Sequence, residues 1–190
     1  MDDSYPHFIF AFHGCDKTIG EELVLRKRIF RFSSNAYDWL GSGIYFWEND
    51  PKRALDWAIA CKEKPNLTKG HIQDPYVIGA LIDLTNCFDL TISSNISLLK
   101  SQYCLLKDVY EKAGMNLPQN EGKKHFLDNL VLNGIFDSNS DNKYPKFNAV
   151  RCAFKEGKPA YPGSDFSENG HIQICVHDMS CIKALFVHQI

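Results

Sequence analysis

Three short stretches carry the side chains best suited to chemistry: His13-Gly14 at the end of HFIFAFHG, Tyr45 inside GSGIYF (Gly41 to Phe46), and HIQICVHD from His171 to Asp178. In the last, Ile172, Ile174 and Val176 share one face of a two-residue period, and His171, Gln173, Cys175 and His177 share the other. A strand with one apolar face and one row of polar side chains fits the wall of a cleft laid over a core. A glycine has no Cβ, so a planar amide can approach its main chain closely. A tyrosine offers a ring face for stacking. Gln173 can donate or accept a hydrogen bond but carries no charge and cannot act as a base. The histidines and cysteines on the same face, with Cys181 beyond them, also raise a zinc site. Residues 171 and 175 would lie about 13 Å apart at ~3.3 Å per residue, too far to share one ion, so no metal is expected.

The elements that must hold these residues are legible in outline. Phe8, Phe10 and Phe12 alternate with His7, Ile9, Ala11 and His13, predicting a strand that ends at Gly14. TIGEELVLRK reads as a short helix, and the polar loop RFSSNAYDWLGSG leads into a strand IYFW. Asp50-Pro51 is an N-cap followed by a first-turn proline, opening a helix to about Lys64 with Ala54, Trp57, Ala58 and Cys61 at helical spacing. YVIGALIDL is apolar throughout, as a central strand would be. A long amphipathic helix is predicted from Ser94, with Ile96, Leu99, Tyr103, Leu106 and Tyr110 on one face and Gly114 and Pro118 at its close. Another helix spans Lys123 to Asn133 and stops at Gly134, and FNAVRCAF, HIQICV and IKALFV read as three further strands. EGKPAYPGSDFSENG, Glu156 to Gly170, joins the first two of these as an irregular exposed loop. Strands at both ends with helices between them predict an α+β fold with mainly antiparallel pairing.

Taken in order, His13-Gly14, Tyr45 within GSGIYF, and HIQICV resemble the ADP-ribosyltransferase superfamily, in the branch of diphtheria-type toxins and poly(ADP-ribose) polymerases. The likeness runs from about residue 8 to 188. It implies a split antiparallel β-sandwich with peripheral helices, and NAD as co-substrate. The family draws a His, a Tyr and usually a Glu from three strands; Gln173 stands at the third position here. By this resemblance His13 would bond the adenosine ribose, the Gly14 main chain the nicotinamide carboxamide, and Tyr45 would stack on the nicotinamide ring. Trp57 is a candidate second wall, although the family places that wall slightly nearer the tyrosine and the helix needs an apolar face in any case. Gln173 would bond the 2′-hydroxyl of the nicotinamide ribose. Ser34 and Asp38 either reach the adenine side or form a turn. His13, Tyr45 and Gln173 are thus the expected catalytic set.

The implied reaction cleaves NAD at the nicotinamide bond and transfers a single ADP-ribose to a protein or nucleic-acid acceptor. The missing carboxylate argues for single-unit transfer. Tyr161 and Phe166 are candidate acceptor contacts, and Glu168 or His171 candidates for the base that Gln173 cannot be. Two rivals remain: a non-catalytic NAD- or ADP-ribose-binding module, and an RNA 2′-phosphotransferase, which would need basic residues beyond Lys52 and Arg53 near the motifs. Compact members of the family serve as toxins, effectors or defence proteins, which would imply an antitoxin or immunity partner.

The chain has 190 residues, 44% hydrophobic and 23% charged, enough for one domain over residues 1–190 and too few for two comfortable ones. A net charge of −2 argues against bulk non-specific nucleic-acid binding. No run reaches the roughly 18 apolar residues of a membrane span and the start, MDDSYPHF, is acidic, so a cytoplasmic protein without a membrane partner is expected. Seven scattered cysteines without a C-x-x-C pair read as reduced thiols.

Overall fold

The computed structural model describes residues 7–68, 70–137 and 146–188. Seven strands, β1 (Phe8–Asp16), β2 (Ile44–Glu48), β3 (Pro75–Asp83), β4 (Cys87–Asp89), β5 (Ala149–Phe154), β6 (His171–Val176) and β7 (Ile182–Val187), form one open sheet in the order β4-β5-β6-β2-β1-β3-β7. All neighbours pair antiparallel except β4 and β5, which run parallel. Four helices accompany it: α1 (Lys17–Val24), α2 (Pro51–Glu63), α3 (Ser93–Lys112) and α4 (Phe126–Asp137). The fold is therefore α+β, and no helix among the described residues is long and apolar enough to cross a membrane.

The two faces of the sheet are covered differently. On one, Ala11, Ile44, Phe46, Ala80, Ile82, Ile174 and Val176 form the main core. Cys87 of β4 and Leu185 of β7, from opposite edges of the sheet, both pack against this cluster, so the sheet curls around it. The other face carries two separate helical caps. The α2 side chains Ala54 and Leu55 pack on Phe12, Trp47 and Val77, while Leu132 and Ile135 of α4 pack on Phe88, Val150 and Cys175. Between the caps lie the middle strands β2 and β6.

Local chemistry explains the boundaries. The Asp50 side chain accepts a hydrogen bond from the Arg53 N–H at 3.0 Å with Pro51 following, and α2 starts there as predicted. β1 continues two residues beyond Gly14, because His13, Gly14, Cys15 and Asp16 keep pairing with β3. Gly134 does not stop α4, which runs on to Asp137. A Cβ at Gly134 would overlap the Gln102 side-chain amide of α3, so this glycine permits close helix packing instead of ending a helix.

The connection from Glu156 to Gly170 is mostly exposed and holds no regular strand, as expected, yet main-chain bonds organise it. It prolongs the β5–β6 hairpin, with main-chain bonds from Asn169 N to Glu156 O (3.0 Å), Glu168 N to Lys158 O (2.9 Å) and Ala160 N to Phe166 O (2.8 Å). Gly157, at φ 85°, is the extra residue of a bulge within this ladder. The tip closes with a turn from Tyr161 to Ser164 (Ser164 N to Tyr161 O, 2.9 Å). Pro162 followed by Gly163 at φ 80° gives it type II character.

Candidate functional site

The three motif strands are consecutive neighbours, β6-β2-β1. β2 pairs with β6 along Ile44 to Trp47 but with β1 only at Ala11↔Glu48 and Phe12↔Trp47. Beyond Phe12 the two strands part. Phe10 C=O accepts from Asn49 N on the β2 side, so main-chain alternation aims the N–H and C=O of Gly14 the same way, into the parting. The His13 ring crosses the gap, its Nδ1–H donating to the Tyr45 carbonyl at 2.8 Å. That bond leaves Nε2 as an acceptor, and burial lowers the imidazole pKa, favouring the neutral form. His13 belongs to the core face, edge-on to Phe30 with ring centroids 5.5 Å apart and tilted against Phe46.

Tyr45, Trp47, His171 and Gln173 emerge on the opposite face, with Gln173 directly across from Trp47 in the ladder. The Tyr45 hydroxyl is committed to its own turn, donating to Gly41 C=O at 2.8 Å and accepting from Leu40 N–H at 3.1 Å; burial pushes its pKa up. Gln173, only 7% exposed, accepts at Oε1 from the Trp39 indole N–H at 2.9 Å. Its amide therefore turns the NH2 end away from Trp39. Trp39 in turn stacks on Phe154 at 3.9 Å and 11°. On the other side of Gln173, Trp47 meets Trp57 of α2 at 6.2 Å.

Polar groups gather where α2 approaches the base of the arm. Arg53 NH2 binds Glu156 Oε2 at 2.7 Å, and that oxygen lies 3.9 Å from His171 Nδ1. His171 Nδ1–H donates to Asn169 C=O at 2.7 Å. Among the described residues three buried side-chain polar atoms have no partner, namely Trp47 Nε1, Arg53 Nε and His171 Nε2. Buried polar atoms are rarely left unpaired, and these three belong to the neighbouring strands β2 and β6 and to the first turn of α2. Two are donors and the third, in the tautomer its bond requires, is an acceptor, a set suited to a hydroxylated or anionic ligand.

Other expected residues fall outside the gap or are otherwise engaged. The Asp38 carboxylate knits its own turn, accepting from Ser33 Oγ at 2.6 Å and Asn35 N at 3.0 Å, which favours the turn-forming role. Ser34 is exposed on the same loop. Tyr161, Phe166 and Glu168 are exposed along the arm. Gly14 has a structural duty besides any ligand role, since a Cβ there would overlap the Ala54 carbonyl of α2. Trp39, Arg53 and Glu156 are the members that the motifs did not single out for the NAD cleft. The only hint lay in position: Trp39 precedes the GSG turn, Arg53 sits in the first turn of α2, and Glu156 begins the arm.

Among the described residues a cavity of about 470 Å³ is walled in part by Trp39 and Phe154 and another of about 420 Å³ lies by Phe136 and His177, and neither is lined by Gly14 or Gln173. Among the described residues no group of three or more His, Cys, Asp or Glu side chains is placed to hold a metal ion. Comparison with protein-family models, curated proteins and solved structures finds no match to this chain.

Proposed function

We propose that the protein binds NAD across the parting of β1 and β2, in an ADP-ribosyltransferase-like split sheet, and transfers one ADP-ribose unit to a protein or nucleic-acid acceptor. The observation that carries this reading is the parting itself, where the Gly14 main chain is aimed inward and Gln173 stands on the next strand over. A carboxamide needs both an N–H and a C=O to pair with, and one glycine main chain offers both without a Cβ on its own residue to keep the ligand away. In the reaction the nicotinamide leaves with the electron pair of its bond to the ribose C1′. The acceptor nucleophile then bonds C1′ and gives up its proton. His13 Nε2 would accept from a ribose hydroxyl of the adenosine half, and Gln173 would donate to an oxygen of the other ribose.

A specific observation favours a second reading, a non-catalytic NAD- or ADP-ribose-binding module. With Oε1 held by Trp39, Gln173 presents an NH2 group, which offers nothing to a developing positive sugar. The phosphotransferase reading loses ground, because Lys52 and Arg53 are paired with Asp56 at 3.0 Å and Glu156 at 2.7 Å. Gln173→Glu separates the two NAD readings. One carboxylate oxygen would keep the Trp39 bond and the other would face the sugar, raising nicotinamide release about tenfold if only the charge is missing. Nicotinamide release at saturating NAD and calorimetric NAD titration, run on both proteins, decide it. Binding without release by either protein leaves the binding module, and absence of NAD binding ends both readings.

A further inference from the structure

The cavity of about 470 Å³ beneath α3 and α4 has the size and lining of a small-molecule site, within the range of about 300–1,000 Å³ typical of ligand pockets. Its walls are Trp39, Phe154, Ile96, Leu99, Val131 and Leu132. The stacked Trp39–Phe154 pair presents one flat aromatic surface, and α3 and α4 supply aliphatic side chains around it. Polar groups are few: Lys100, Tyr103, His125 and Asp128. Asp128 is already engaged, its Oδ2 accepting from Asn120 Nδ2 at 2.9 Å and lying 3.1 Å from His125 Nδ1. The Lys100 side chain, exposed at the rim, has no ion pair or hydrogen bond among the described residues, so it can swing toward an anion seated in this apolar space.

We propose that this cavity binds a small organic anion with an aromatic or aliphatic body, its body against Trp39 and Phe154 and its charged end toward Lys100. The pattern is that of ligand pockets generally, in which apolar walls supply the area and a few polar groups fix orientation. A cavity of this size takes a small molecule and leaves no room for a helix about 10 Å across. Because Trp39 both walls the cavity and holds Gln173 through its indole N–H, an occupant that moves the indole also moves Gln173. This makes the site a lever on the neighbouring gap. The inference stands on the cavity alone and does not depend on NAD chemistry.

The test is titration of the full chain with 8-anilinonaphthalene-1-sulfonate, an aromatic body bearing one sulfonate, followed by dye fluorescence. Saturable binding to one site is expected, with a shift in tryptophan emission that Trp39→Phe removes. Leu99→Trp, which fills the cavity, should weaken binding at least tenfold. Lys100→Glu should weaken it severalfold, while Lys107→Glu, elsewhere on α3 and paired with Glu111 at 3.6 Å, should not. If Leu99→Trp does not fold, the Lys100→Glu and Lys107→Glu pair and the Trp39 emission carry the test. Equal dye affinity in all folded variants, or displacement by neutral 2-naphthalenemethanol as strong as by 2-naphthoate, overturns the proposal.

Discussion

Two arginines each reach a glutamate 103 residues away in the chain, and the two pairings are built differently. Arg151, on the core face, fills its whole fork: Nε to Glu48 Oε2 at 2.6 Å, NH2 to Glu48 Oε1 at 3.0 Å, and NH1 to Asp89 Oδ2 at 3.0 Å. These hydrogen bonds, with the two carboxylate charges, outweigh burial and raise the Arg151 pKa. The result ties β5 to its neighbour β4 and, across the intervening β6, to β2. Arg53, on the opposite face, makes one contact with Glu156 and leaves Nε buried without a partner. A saturated fork holds the fold. An unsaturated one, at the junction of a helix and an arm, is what a ligand can complete.

The largest expected effect breaks this comparison directly. Arg151→Ala strands two carboxylates that are mostly buried and should cost about 3–5 kcal/mol of stability. Arg53→Ala removes a single contact to the more exposed Glu156, together with a buried Nε that has no partner, and should cost about 1 kcal/mol or less. Urea denaturation of both variants is the measurement. Equal losses would mean that Arg53 is as structural as Arg151, and would remove the reason for placing a ligand beside it.

A medium effect sharpens the picture at the α4 end of the same face. His177 stacks on Phe136 at 3.5 Å and donates from Nε2 to the Leu40 carbonyl at 3.0 Å. Burial pushes its pKa down to about 4 from an ordinary 6.5. The unfolded chain thus takes up a proton near pH 6.5 that the folded chain refuses until near pH 4. Between those values the unfolded state binds more protons, so stability falls as pH drops, by at most ~1.4 kcal/mol per unit. His13, lowered by burial, acts with the same sign. Comparing denaturation at pH 7 and pH 5 should show about 1–2 kcal/mol lost in the wild type, and a shallower slope in His177→Gln. Parallel slopes would mean that His177 is not the group that titrates.

How much of this was legible in the sequence depends on the range of the interaction responsible. The start of α2 and the alternation of β6 rest on contacts a few positions apart, and Asp50-Pro51 and His171 to Val176 display them. β4 did not show, because three residues pairing in parallel with β5 leave no periodicity to detect. Gly134 misled because a glycine that ends a helix and one that admits a neighbouring side chain look alike until Gln102 is in place. The candidate site divides the same way. Gly14, Tyr45 and Gln173 lie in strands with readable faces, whereas the Trp39–Gln173 and Arg53–Glu156 contacts join residues 134 and 103 positions apart.

The smallest expected effect on stability lies at the arm tip, where Tyr161 is 59% and Phe166 73% exposed. Tyr161→Ser with Phe166→Ser should change stability by about 0.5 kcal/mol or less. If the tip selects the acceptor, the same double variant loses transfer of labelled ADP-ribose while nicotinamide release persists. Unaltered labelling of the same target would separate the arm from acceptor choice.

The bulge at Gly157 sets a kink between the arm and the hairpin beneath it. A bulge takes up one surplus residue on one strand by a local kink and added twist, and the partner strand keeps its alternation. Deleting Gly157 would bring the outer ladder back into step with β5 and β6 and remove the kink, re-aiming the aromatic tip while Phe166 keeps its place in the alternation that leads to Gln173. Lengthening the arm by two residues on each strand would instead carry the aromatic tip outward and leave the kink in place. The direction in which the tip points is therefore set by a difference of one residue between the two sides of the arm, 155–158 against 168–170, a property that sequences of equal composition need not share.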